Sequence, residues 1–186
     1  MPFGSLWLPV VVSAVAVFVV SAILHMVLKY HRADYKGLTD EDAVAQALRK
    51  GSSGPGVYMI PYCTEPSHMK DPAFRKKFEE GPVAMITVLR SGPPNMAKNL
   101  IQWFLFCLLV SFFTAYVARH TPTAGSDLLL VLRITTTVAF IGYGFGPIQS
   151  SIWAGVPWSN TLRGIIDALI YALVTGFAFR LLWPAA

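Results

Sequence analysis

The sequence predicts an all-α membrane protein, a four-transmembrane-helix bundle with a small cytoplasmic α+β insertion between helices 1 and 2. Three observations carry this reading. Four predominantly apolar runs cover residues 6–28, 100–118, 128–153 and 162–183. Each is close to the roughly 20 residues a helix needs to cross a hydrocarbon core of about 30 Å. The apolar fraction is 54% and the charged fraction only 13%, about half of what covers a soluble domain. Finally, all five tryptophans, Trp7, Trp103, Trp153, Trp158 and Trp183, fall at the ends of these runs, where an apolar ring with one N–H donor suits the headgroup level.

The divisions follow from these runs. Residues 1–29 hold the first span. Its start, residues 1–9, has no Lys or Arg, and the apolar run exceeds 20 residues, longer than a secretory signal core, so a retained span is expected. The Val-rich composition favours strands by propensity. In lipid, however, backbone groups are satisfied only by helices or closed barrels, and four spans cannot close a barrel.

Residues 30–96 form the insertion, which carries eight of the ten acids as well as many bases. Thr39-Asp40-Glu41-Asp42 opens an amphipathic helix, and Arg49-Lys50 followed by Gly51 closes it, in accord with the helix dipole. A Ser/Gly/Pro turn leads to a strand at residues 57–60. Asp71-Pro72 caps a second short helix ended by Gly81, and residues 82–89 read as a second strand. Arg75-Lys76-Lys77 is either a solvated helix face or a weak contact for anionic headgroups.

Residues 97–119, 127–153 and 160–183 hold the other spans. Asn95, Ser126-Asp127 and Ser159-Asn160 supply N-cap chemistry at their starts. The links at 119–127 and 154–159 are short and carry Gly and Pro, so neighbouring spans run antiparallel. Eleven of the 15 Lys and Arg residues lie between Lys29 and Lys98. The positive-inside rule then sets the loop in the cytoplasm and both termini outside, in the periplasm of a bacterial inner membrane. A free Cys63 suits a reducing compartment.

Chemistry-bearing residues inside the spans are few. His25, Asn99, Gln102, Gln149 and Asp167, with Tyr143 slightly deeper, form a polar layer near the cytoplasmic boundary to which every span contributes. Ionisable groups at membrane depth pair with one another or line a wet cavity. A His25–Asp167 contact or an Arg163–Asp167 pair at i,i+4 spacing is expected. The layer is either a pocket for a ligand, proton or headgroup, or polar glue between helices. Gly142, Gly144 and Gly146 let another helix approach closely, and Pro147 breaks the span beside them. Arg133 and Arg180 lie toward the opposite boundary, where snorkelling is expected for Arg180.

A metal site is a minor candidate, drawing on His25, His31, Cys63 and His68, whose spacing matches no known ligand motif. No cofactor is expected. Nor is there a CxxC pair, a nucleotide-binding glycine loop, an HExxH helix, a Ser-His-Asp pattern or a basic nucleic-acid face.

The stretch Ile152-Trp153-Ala154-Gly155-Val156-Pro157-Trp158, with Asp167-Ala168-Leu169-Ile170-Tyr171, Leu182-Trp183-Pro184 and Tyr58-Met59-Ile60-Pro61, resembles small four-pass bacterial inner-membrane proteins of unknown function. That resemblance implies a bacterial inner membrane and four spans, and it carries over no catalytic residue. The function expected is that of an interaction protein, either self-assembling or an accessory subunit of a membrane complex, acting through the glycine face. The alternative is a membrane transporter or enzyme handling a small ligand or lipid at the polar layer. Lipid and a protein partner or second copy are the expected contacts, with no nucleic acid.

Overall fold

The computed structural model describes residues 3–120 and 127–184, and within them the chain is mostly helical. Among the described residues, four helical stretches are long and apolar enough to cross a membrane: Gly4–Val27, Met96–Arg119, Leu128–Ala154 and Trp158–Leu182. The link expected at residues 121–125 and the cap expected at Ser126 lie outside the described residues. Contacts divide the chain into two units, one of Met1–Tyr35 with Asn95–Ala186 and one of Lys36–Pro94. The insertion thus begins at Lys36 rather than at residue 30, because residues 30–34 fold as a 3-10 turn that packs with the long helices.

In the helical unit, α1 (Trp7–Ala22) carries Pro9 in its first turn, where a missing N–H leaves no bond unmade. Its buried stripe is Ser13, Ala14, Val17 and Ser21. The helix α4 (Met96–Arg119; α2 and α3 belong to the insertion) packs beside it and buries Cys107, Val110, Ser111, Thr114, Ala115 and Ala118. Small side chains on both sides let backbones approach, and the Ser13 hydroxyl donates to Ser111 Oγ at 3.0 Å across the gap. Beyond α1 the chain widens into a π-helical turn, Ile23–Val27, with Leu28 N bonded to Ile23 O at 3.2 Å. Lys29 then adopts a left-handed backbone, φ 56°, which reverses the chain into the turn Tyr30–Asp34.

The third stretch is two helices, α5 (Leu128–Gly144) and α6 (Gly146–Ala154). Pro147 sits in the first turn of α6, as its lost donor and ring clash require. Gly155, φ 67°, ends α6 in the left-handed region, and Val156 N caps back to Ser150 O. The last helix, α7 (Trp158–Leu182), buries Thr161, Ala168 and Thr175 at seven-residue spacing and packs most extensively on α5. Gly176 is needed there, since a Cβ would collide with Thr136 Oγ1.

Caps follow the sequence in part. Asn95 Oδ1 accepts from Lys98 N at 3.0 Å, and Asp127 Oδ1 accepts from Leu129 N at 2.8 Å. The Ser159-Asn160 cap is not used: α7 starts at Trp158, one turn earlier, behind Pro157. Asn160 instead donates through Nδ2 to the Asp34 carbonyl at 3.0 Å.

In the unit Lys36–Pro94, α2 (Glu41–Gly51) is capped by Asp40, and α3 (Pro72–Glu80) by Asp71 and closed by Gly81. Strands β1 (Gly56–Ile60) and β2 (Ala84–Val88) pair antiparallel with Tyr58 opposite Ile86. Both helices and both strands expected from the sequence are present, with β2 shorter than expected at each end.

Candidate functional site

The site grows from the reversal at Lys29. Folding back through Tyr30–Asp34 brings His31 against α7, where its Nε2 lies 2.7 Å from Asp167 Oδ2. His25, in the π turn, stacks on His31 with ring centroids 4.4 Å apart and 9° between planes. Its Nε2 is 3.8 Å from the same Asp167 oxygen. Three ligand-type atoms from three elements therefore converge within 4.8 Å of one another.

A second layer holds them. His31 Nδ1 lies 2.6 Å from Asp34 Oδ2, and Asp34 Oδ1 accepts from the Arg163 guanidinium at 2.5 Å. Burial raises the Asp34 carboxyl, but the His31 and Arg163 partners outweigh it and hold the group below its ordinary value of 3.8. His25 Nδ1 is 3.0 Å from the Ser21 carbonyl, and Ser21 Oγ accepts from Trp103 Nε1 at 2.8 Å. Asp167 is buried, only 4% exposed, and its second oxygen, Oδ1, has no hydrogen-bond partner among the described residues. His25 is half exposed, at 51%, and borders a cleft of about 460 Å³ with Phe18, Met26, Leu100 and Trp103.

The polar layer read from the sequence is therefore assembled only in part. His25 and Asp167 meet, but Asn99, Gln102 and Gln149 project outward. Equal depth fixes height and not azimuth: Trp103 points inward, and its neighbour Gln102 lies about 100° around the helix. Gln149 follows the break before α6. Tyr143 is buried among the rings of Trp103, Phe106 and Tyr171. The Arg163–Asp167 pair does not form, because Arg163 reaches the segment 30–34 while Asp167 turns inward.

The tryptophans divide similarly. Trp7, Trp153 and Trp158 are exposed, whereas Trp103 is half-buried and Trp183 packs with Leu6 and Phe179. Of the glycines, Gly142 abuts Val110 and Gly144 abuts Ala168, so both serve internal packing, and Gly146 faces open space. Of the four metal candidates, His25 and His31 come together. Cys63 and His68 belong to the insertion, where they bond Glu65 O at 3.0 Å and Thr64 Oγ1 at 3.2 Å. Arg133 is exposed on α5.

Asp34 as the partner of His31 escaped the sequence reading. The signal was His31 and Asp34 at i,i+3 immediately beyond an apolar run. Comparison with protein-family models, with curated proteins and with solved structures gives no match.

Proposed function

We propose that this chain is a multi-pass protein of a bacterial inner membrane that handles a small ligand or lipid-like molecule at the His25–His31–Asp167 cluster. Membrane residence is supported by the outward faces of its long helices. Val15, Val19, Leu105, Leu109, Phe113 and Leu169 are all exposed there, an apolar surface that soluble monomers do not carry. The cytoplasmic side for the insertion and the periplasmic side for the termini rest on the distribution of Lys and Arg. The inner-membrane assignment rests on the resemblance to small four-pass proteins.

One observation carries the ligand reading: Asp167, the tenth residue of a 25-residue apolar helix, buried with two imidazoles on one oxygen and none on the other. A carboxylate inside a span costs up to about 3 kcal/mol at its centre and less toward the boundary, whereas an interhelical hydrogen bond returns about 0.6–2 kcal/mol. As glue, Asp167 is a poor choice. An accessory or self-assembling role was expected through Gly142, Gly144 and Gly146, but two of the three are taken up by internal packing, which weakens its support.

Native mass spectrometry of the chain purified in mild detergent tests the reading. A retained small-molecule adduct on the 20.4 kDa chain, lost in Asp167→Asn, is the expected result. A bare wild-type chain, or an adduct unchanged by the substitution, overturns it.

A further inference from the structure

We propose that His25, His31 and Asp167 form a binding site for a divalent first-row transition-metal ion of the zinc type, an inference that rests on the ligand-handling reading and names the ligand class. The argument begins with the tautomers. The Ser21 carbonyl can only accept, so His25 Nδ1, 3.0 Å away, must carry the hydrogen. Asp34 is held as a carboxylate by Arg163, so His31 Nδ1, 2.6 Å away, must carry one too. Each ring in its neutral form therefore presents a bare Nε2 lone pair; that of His31 meets Asp167 Oδ2 at 2.7 Å, and the His25 Nε2 lies 3.8 Å from the same oxygen.

A bare His31 Nε2 lone pair 2.7 Å from a carboxylate oxygen is repelled unless a proton or a cation lies between them. One proton on His31 Nε2 satisfies one contact. It leaves the buried Asp167 Oδ1 without a hydrogen-bond partner among the described residues. A divalent ion engages all three groups at once.

The spacing suits such an ion. Ligand atoms about 2.0 Å from a tetrahedral zinc lie about 3.3 Å from one another. The distances here are 2.7 and 3.8 Å, which bracket that value by about half an ångström on either side. Because the rings stack in nearly parallel planes, 9° apart, the half-exposed His25 must swing out of the stack for its in-plane Nε2 lone pair to reach an ion held by His31 and Asp167.

The outer layer is also of the kind metal sites use. Ligating histidines donate their other N–H to a carboxylate or backbone carbonyl, which fixes the ring and its tautomer. Here one imidazole has each partner, Asp34 for His31 and Ser21 O for His25. Two nitrogens and one carboxylate leave a fourth position open, as in ligand-handling zinc centres. His25 borders the cleft with Phe18, Met26, Leu100 and Trp103, which gives a route from outside. Binding displaces the proton shared by His31 Nε2 and Asp167 into solvent. No electron is transferred, and the ion enters and leaves as the divalent cation.

The full chain in detergent, stripped with a chelator, is titrated with Co²⁺ and then challenged with Zn²⁺. One Co²⁺ per chain, an intense visible band of four-coordinate cobalt and its loss to Zn²⁺ are expected. Asp167→Asn and His31→Gln should abolish stoichiometric binding, and Asp34→Asn should weaken it about 10- to 100-fold as an outer-layer change. His25→Ala provides a variant at a half-exposed position, where folding is least at stake. Helical circular dichroism of each variant identifies any that fails to fold. No bound ion in the wild type, or ions retained equally by folded variants, overturns the proposal. If no metal binds yet an organic adduct still depends on Asp167, the metal class falls while the ligand reading stands. If neither is found, both fall.

Discussion

Asp34 is the residue on which the candidate site turns. It joins His31 at 2.6 Å to Arg163 at 2.5 Å, so one carboxylate ties the reversed segment to α7. Both groups are partly screened from water, at 14% and 28% exposed, so a charge-assisted hydrogen bond contributes more here than at a surface. A double-mutant cycle on Asp34→Asn and Arg163→Gln should return a coupling of about 1.5–3 kcal/mol in thermal unfolding. A coupling near zero would show that the pair is not formed. The pH sign follows from the lowered carboxyl. Its contribution is fully present above the ordinary value of 3.8 and is lost as acid protonates the group below it. The coupling should therefore fade in strong acid and persist at neutral pH.

Two backbone devices build the site at the level of elements. The π turn at Ile23–Val27 carries His25, and the left-handed Lys29 reverses the chain so that His31 reaches Asp167. Neither was legible in the sequence. A π turn has no composition of its own, and a Lys in the left-handed region runs against its local preference. By contrast, the break at Pro147, the caps at Asp40, Asp71 and Asn95 and both strands were legible, because each rests on local chemistry. Helix contacts give a matched pair of glycines. Gly176→Leu should cost about 1–3 kcal/mol or more by forcing α5 and α7 apart at Thr136 and Leu132. Gly146→Ala, which meets open space, should stay within about 0.5 kcal/mol. Thermal melts of the two variants in the same detergent compare them directly, and equal losses would contradict this packing.

For the whole molecule, four long apolar helices and the small α+β unit were readable from hydropathy and punctuation. Of the polar residues, the His25–Asp167 approach was legible but the outward turn of the others was not, since depth along a helix says nothing of azimuth: Gln102 and Asn99 turn out while Asp167 turns in. The proposed orientation makes a separate prediction. A membrane-impermeant maleimide should leave Cys63 unlabelled in intact cells and label it once they are permeabilised, and rapid labelling of intact cells would reverse the topology. The central claim is that His25, His31 and Asp167 are one site. Nitrogen-15 NMR of the histidine rings tests it most directly, because the chain has four histidines, two inside the site and two outside. On Asp167→Asn, the ring nitrogens of His25 and His31 should both shift while those of His68 and His120 stay in place. An unmoved His31, or a shift spread over all four rings, would contradict it.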